Sequence, residues 1–149
     1  SNFTLMPTAR RFFTANEQQQ LVNAIAQAEL STSGEIRLHL ENFCLGNEMQ
    51  RAKKVFVKLQ LHRTRERNGV LIYMATLSRK IAIIGDEGIH QKLGSAFWNQ
   101  LVQNLTVQLK ANNKADALSA CIVECGKQLG HFFPRQSDDT NELSNDISF

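Results

Sequence analysis

The chain has 149 residues, of which 42% are hydrophobic, and a net charge of +3 at pH 7. This length fits one domain with its own core, and a charged fraction of 21% is ordinary for a soluble globular protein. The net charge is too small to indicate nucleic-acid binding, and no apolar stretch approaches the ~20 residues that a membrane-spanning helix needs.

Three segments are expected along the chain. Residues 1–11 form an N-terminal extension, residues 12–134 an α/β domain, and residues 135–149 a tail with one basic and four acidic residues that packs on the domain. The first 20 residues contain no apolar run of the length that a signal peptide needs, so we expect a cytoplasmic protein. The sequence does not decide whether an export signal was removed.

The first elements are a capped helix and a strand. Thr14 and Glu17 have the spacing of a capping box, and the helix that follows should end near Gly34. Residues 35–41 then alternate apolar and polar side chains, which predicts a half-buried strand. On its open face, we interpret His39 as a solvated strand residue in preference to a functional one.

Helical spacing returns at about residue 48, and a polar loop follows at residues 62–68. Residues 70–75 and 81–84 are continuous apolar runs joined by a short turn, which predicts an antiparallel hairpin covered on both faces. Two long helical patterns come next, at residues 93–105 and 115–129, and Pro134 ends the second. This order predicts an α/β fold, a three-layer sandwich whose mixed central sheet contains the hairpin and carries helices on both faces.

The cysteines are predicted to be free. Cys44, Cys121 and Cys125 are an odd number without metal-type spacing, which argues against a disulfide framework. Cys121 and Cys125 lie one helical turn apart in an apolar stripe, and we expect Cys125 to be buried in the core.

Two acidic residues end the hairpin, in the sequence Gly85-Asp86-Glu87-Gly88. Ligands of open α/β sheets bind beyond strand ends, so Asp86 and Glu87 are candidate metal ligands. The alternative is structural: Asp86 caps the next helix, Glu87 favours its first turn, and the two glycines supply unusual backbone angles. The sequence leaves both interpretations open.

A second acidic cluster lies in the tail, where Asp138, Asp139 and Glu142 crowd carboxylates into five positions. Such hard oxygens suit Ca²⁺ or Mg²⁺ and not zinc. The alternative is a hydrated tail, but the apolar Leu143, Ile147 and Phe149 suggest that the tail packs on the body. These residues lead to the hypothesis of a cation that joins the tail to the Gly85–Gly88 turn.

The polar loop carries Arg63, Arg65 and Arg67, whose guanidinium groups could bind a phosphate. A solvated connector is the default interpretation, and nucleic acid is disfavoured because no aromatic residues interleave with the charges. Motifs for a serine nucleophile, a phosphate loop, a zinc protease and a dinucleotide site are absent from the sequence.

Several segments resemble the TPM domain family, and most closely its compact bacterial branch without a membrane helix: TSGEIRLHLE, RNGVLIYMA, RKIAIIGDEGIH and FFPRQSDDTNELSNDISF. The resemblance implies an α/β sandwich and either acid phosphatase activity or a metal-binding, repair-associated role. Phosphatase members place acids and a divalent cation at the strand ends, where Asp86 and Glu87 are the nearest positions. Exported members usually have Gly-Tyr-Gly-x-Glu at this turn, so their acid does not carry over position for position.

Two functions therefore stand side by side. The favoured hypothesis is a divalent-cation-binding module that presents a surface to an unidentified protein partner, with a stress or repair role. The alternative is a metal-dependent acid phosphatase acting on phosphomonoesters, in which the arginine loop holds the phosphate. We expect Ca²⁺ or Mg²⁺, no nucleotide or organic cofactor, and a monomer.

Overall fold

The computed structural model describes residues 7–137 and 143–149. The regular elements are α1 (Ala15–Glu29), β1 (Glu35–Glu41), α2 (Glu48–Lys58), β2 (Gly69–Ala75), β3 (Lys80–Gly85), α3 (Glu87–Ala111) and α4 (Lys114–Phe132). Two single 3₁₀ turns, Ala9–Arg11 and Leu61–Arg63, precede α1 and β2. The predicted order of helices and strands is confirmed.

The three strands form one mixed sheet in the order β1-β2-β3. β1 and β2 are parallel, with Glu35 opposite Gly69 and Glu41 opposite Ala75. β2 and β3 are antiparallel, with Ala75 opposite Lys80. The predicted hairpin is therefore confirmed, and β2 is the central strand.

Helices cover both faces of this sheet, as the continuous apolar runs of β2 and β3 predict. On one face, α1, α3 and α4 bury a large core that includes Leu38, Ile72 and Ile83. On the other face, α2 packs over Leu71 and Tyr73. The architecture is thus the predicted α/β sandwich of three layers.

The prediction that β1 is half-buried is wrong, because both of its faces are covered. Arg37 and His39 are each only 4% exposed. The end of the chain lies along the free edge of β1, where Leu40 N donates to Ser148 O at 2.9 Å and Ser148 N donates to Leu38 O at 3.0 Å. This edge contact also corrects the interpretation of His39 as solvated, since its Nδ1 lies 2.8 Å from Ser148 Oγ.

Local signals set the helix starts. Thr14 Oγ1 accepts from Glu17 N at 3.1 Å, and the Glu17 side chain accepts from Thr14 N at 2.9 Å, which completes the predicted capping box. Asn47 caps α2 through its side-chain oxygen, which accepts from Gln50 N at 2.9 Å. Helix α3 is kinked at Gly94, whose φ of 75° lies in the left-handed region that glycine tolerates.

The three cysteines are free and Cys125 is buried, as the sequence predicts; Cys44 and Cys121 are buried as well. Burial raises the pKa of the Cys121 thiol to about 12 and also raises the pKa of Cys125. Within the described residues, no helix is both long and apolar enough to cross a membrane.

Candidate functional site

Ionic side chains gather at the two opposite ends of the sheet. We call the group around Asp86 and Arg67 the amino-end cluster, because it lies beside the first residue of β2. The group around Glu41 is the carboxyl-end cluster, because Glu41 is the last residue of β1. The seven residues of β2 separate the two by about 20 Å at ~3.3 Å per residue.

The amino-end cluster is built on one bidentate ion pair. Arg67 Nε lies 2.7 Å from Asp86 Oδ2, and Arg67 NH2 lies 3.0 Å from Asp86 Oδ1. The same Oδ1 accepts from Glu87 N at 2.8 Å, so Asp86 also caps α3 as its structural interpretation predicts. The Asp86 hydrogen bond raises the pKa of Arg67. Arg67 therefore supplies a positive charge beside Asp86.

Glu87 is the most accessible acid of this cluster. Its side chain is 74% exposed, and its Oε2 lies 3.8 Å from Arg67 NH1, which is a weak, solvated contact. Arg63 and Arg65 are exposed in the loop that leads to Arg67. The structure thus brings one of the three candidate arginines into contact with both candidate acids.

The two glycines of the turn are required for close packing. A Cβ on Gly85 would lie 2.3 Å from Cζ2 of Trp98, and a Cβ on Gly88 would lie 2.3 Å from the carbonyl oxygen of Glu66. Neither glycine has a positive φ; among the described glycines only Gly94 does. The expectation of unusual backbone angles at Gly85 and Gly88 is therefore wrong, and steric exclusion explains both residues.

The tail acids Asp138, Asp139 and Glu142 lie outside the described residues. The residues on either side of them contact the body of the domain. Pro134 forms a bridge with Thr32, and Arg135 NH1 donates to Glu29 O at 2.8 Å. On the other side, Leu143 O accepts from Arg37. Both flanks of the acidic segment are thus held at β1 and at the end of α1.

These flanks and Asp86 belong to the same end of the sheet. Glu35, the first residue of β1, pairs with Gly69, and Gly69 O accepts from Asp86 N at 3.0 Å. Within residues 7–137 and 143–149, no three His, Cys, Asp or Glu side chains are grouped to hold a metal ion. The predicted metal site therefore stays a prediction that depends on the tail acids.

A buried ion network on β1 fixes the nearby backbone. Arg37 lies 2.8 Å from Glu29 Oε2 and 2.8 Å from Glu35 Oε2, and all three side chains are at most 6% exposed. Burial raises the pKa of Glu29, and the charge of Arg37 offsets only part of this rise. Each charge has hydrogen-bonded partners, as buried charges require, so the network anchors the tail through Leu143.

The carboxyl-end cluster was missed by the sequence reasoning. Arg51 on α2 donates two hydrogen bonds of 2.9 Å to the Glu41 carboxylate, and the hydroxyl of Tyr73 donates to the same carboxylate. His39 Nε2 lies 3.0 Å from Glu41 Oε1. The Arg51 hydrogen bonds, followed by those of Tyr73 and His39, lower the pKa of Glu41 to about 2 despite its partial burial.

The neighbours of His39 fix its tautomer. An ionised carboxylate only accepts, so Nε2 carries the proton toward Glu41 and Nδ1 accepts from the Ser148 hydroxyl. Burial is the main cause that lowers the pKa of His39, which keeps the ring neutral near pH 7. Glu41, with hydrogen bonds from three side chains, acts as an anchor and has no lone pair poised for proton abstraction.

A cleft of about 540 Å³ opens beside Glu41 and Arg51. The loop between β1 and α2 lines this cleft, and in it Phe43 is 60% exposed and Leu45 is 95% exposed. The ammonium group of Lys80 holds this loop, donating to Cys44 O at 2.9 Å and to Gly46 O at 2.8 Å. The loop is thus braced while its two large apolar side chains face solvent.

Comparison with known proteins identifies the family. The family model of the TPM domain matches residues 8–128. The chain belongs to the TPM domain family. Its fold is similar to the NMR structure of BA42 protein from the psychrophilic bacterium Bizionia argentinensis, with 39% sequence identity, a TM-score of 0.85, and coverage of 93% of this chain and 95% of that chain. A search of curated proteins found no match.

Proposed function

We propose that this TPM domain is a monomeric, cytoplasmic divalent-cation-binding module that presents a surface to a protein partner. One observation carries the proposal: the acidic segment is tethered on both flanks to the end of the sheet where Asp86 and Glu87 lie. In this proposal the carboxylates of Asp138, Asp139 and Glu142 meet those of the turn when a cation binds. Crowded carboxylates repel one another, and a bound cation relieves the repulsion.

Calcium is the preferred cation in this proposal, and magnesium is the alternative. Ca²⁺ accepts six to eight oxygens in flexible geometry, so exposed Glu87, tail carboxylates and water can complete its shell. Mg²⁺ needs a stricter octahedron and keeps more of its water. Asp86 would share its oxygens between the cation and Arg67, which makes it the weaker ligand of the two turn acids.

The partner surface is proposed at the opposite end, at the loop that carries Phe43 and Leu45. Large exposed apolar side chains that lie together mark interaction sites more often than scattered ones do. The Lys80 hydrogen bonds pre-organise the loop, which lowers the entropic cost of docking.

Calcium titration followed by amide NMR tests the cation site. Saturable shifts are expected at both residues 86–88 and 138–142. At a calcium concentration of about 100 times Kd, binding stabilises the folded state by ~2.7 kcal/mol, which raises Tm by roughly 5–10 °C. Glu87→Gln and Asp139→Asn should each weaken binding. Glu124→Gln, an exposed change on α4, is the matched control and should leave the affinity unchanged.

Each outcome of the titration decides between hypotheses. Shifts confined to the turn would reject the bridge to the tail while keeping a metal site. An absence of shifts at both segments in millimolar Ca²⁺ and Mg²⁺ would refute the module, leaving Asp86 as a helix cap.

The phosphatase alternative is supported by the exposed Arg63 and Arg65 in the loop that leads to Arg67, which contacts both acids of the turn. Asp86 and Glu87 would repel a phosphate unless a cation lies between, so any hydrolysis must be slow and metal-dependent. Metal-dependent turnover of a generic phosphomonoester that falls in Asp86→Asn and in Arg65→Gln would favour this alternative. Binding of Ca²⁺ without turnover favours the module.

A further inference from the structure

We propose that a cavity beside the β2–β3 turn binds a small amphipathic anion, a carboxylate or phosphate carried on an apolar chain. We call it the hairpin cavity. Its volume is about 520 Å³, and it lies between the hairpin, the second half of α3 and the start of α4. This volume lies within the range of about 300–1,000 Å³ that is typical of small-molecule sites. The site is independent of the proposed cation site.

The wall of the hairpin cavity is mainly apolar. Phe12, Met74, Ile81 and Leu109 line it, and Met74 is buried in the main core. The other three are partly buried against that core, so part of their apolar surface is left for a ligand. Covering this surface with a hydrocarbon chain is favourable by roughly 25 cal/mol per Å².

The charges around the hairpin cavity all have one sign. Arg79, Lys110 and Lys114 line it together with Lys80, whose ammonium group is turned to Cys44 O and Gly46 O, and within the described residues no acidic side chain does. Lys110 and Lys114 are exposed at the rim. The other three cations repel one another and raise the local concentration of anions, which selects an anionic headgroup over a neutral or cationic one.

A buried hydroxyl at the hairpin cavity lacks a partner. Thr76 is 6% exposed and lines the cavity, and its Oγ1 forms no hydrogen bond with any described residue. The other threonine of the wall, Thr106, donates to Val102 O at 2.8 Å. An unpaired buried hydroxyl is costly, and a headgroup oxygen that accepts from Thr76 would remove this cost.

The position of the cavity fits its chemistry. Thr76 directly follows β2, so the unpaired hydroxyl lies beyond the carboxyl ends of the parallel pair β1 and β2. Ligands of α/β sheets are bound at this end of parallel strands. An apolar wall, three cations and one unsatisfied donor together specify an amphipathic anion.

Titration with decanoate below its micelle concentration tests the inference. Saturable amide shifts are expected at residues 74–81 and 106–114. Decanol, the neutral matched ligand, and inorganic phosphate, which lacks the chain, should each bind at least tenfold more weakly. Decyl phosphate tests the second headgroup, and whichever of the two anions binds more tightly identifies the preferred one.

Two pairs of variants separate the hydroxyl from the charge. Thr76→Val should raise Tm, because an unpaired hydroxyl is removed, and should weaken decanoate binding roughly tenfold. Thr106→Val is its control and should leave Kd unchanged. The double change Lys110→Gln and Lys114→Gln should weaken Kd by roughly 2- to 30-fold, while Lys127→Gln, about 20 Å along α4 from Lys114, should not.

Three results would overturn the inference. The first is an absence of saturable binding of both decanoate and decyl phosphate. The second is decanol binding as tightly as decanoate, which would remove the role of the cations. The third is a Thr76→Val variant that gains stability and keeps the wild-type Kd, since the hydroxyl would then not contact the ligand.

Discussion

Glu41 is expected to make the largest single ionic contribution at the carboxyl end of the sheet. Its side chain is 16% exposed, and its pKa falls from 4.5 to about 2 mainly through the Arg51 hydrogen bonds. A difference of this size corresponds to about 3 kcal/mol of folding free energy when the carboxylate is ionised. Domains of this kind have total stabilities of only ~5–15 kcal/mol, so the loss should be easy to measure.

The change to test is Glu41→Gln, which keeps the shape and removes the charge. A carboxyl group with a lowered pKa contributes stability above pH 4.5 and loses it as the pH falls toward 2. Urea unfolding of both proteins should therefore differ by about 3 kcal/mol at pH 7, and the difference should shrink toward zero near pH 2. Other carboxylates titrate in both proteins and cancel in the comparison.

Glu124→Gln is the control, an exposed change expected to shift stability by less than ~0.5 kcal/mol at either pH. A Glu41→Gln difference that is the same at pH 7 and pH 3 would show that the effect is steric and not ionic. A difference below ~0.5 kcal/mol at pH 7 would refute the strength assigned to the Arg51 pair.

Two further outcomes follow from buried groups. Gly85→Ala should lower the free energy of unfolding in urea by about 1–3 kcal/mol, because its Cβ would overlap the Trp98 indole. Gly46→Ala is the control and should cost nothing, since its Cβ would have no atom within 4 Å. Equal effects of the two changes would contradict the steric explanation. The pKa of His39 is lowered by burial, so its ring proton signals should titrate with a midpoint below pH 6.5. The free energy of unfolding should accordingly fall as the pH drops below 6.5. A midpoint above 6.5 would mean that the Glu41 contact outweighs burial.

Much of the fold could be predicted because its signals are local. The capping box needs only Thr14 and Glu17, three residues apart. The hairpin needs only two apolar runs and a short turn, and Asp86 occupies the cap position that its spacing predicts. In each case the deciding contacts are made between residues close in the sequence.

The environment of β1 could not be predicted, because it depends on distant residues. Arg37 and His39 alternate with apolar neighbours as solvated side chains would, yet Leu143 and Ser148 cover them from over 100 positions away. The only available signal was the polar face of β1 itself, on which His39 and Glu41 stand two residues apart. Tyr73, which donates to Glu41, is identified as a partner only by the register of β1 and β2.

The proposed cation site and the hairpin cavity lie at opposite ends of β2, and this separation has a consequence. The backbone N–H of Asp86 donates to Gly69, the first residue of β2, whereas Thr76 directly follows the last residue of β2. This places about 20 Å between the two sites. Exposed charges at this distance are screened, since the Debye length is ~8–10 Å in physiological salt. A cation at one site and an anion at the other should thus neither attract nor displace each other measurably. Calcium titrations with and without saturating decanoate should give the same Kd, and a changed Kd would require coupling through the rigid sheet.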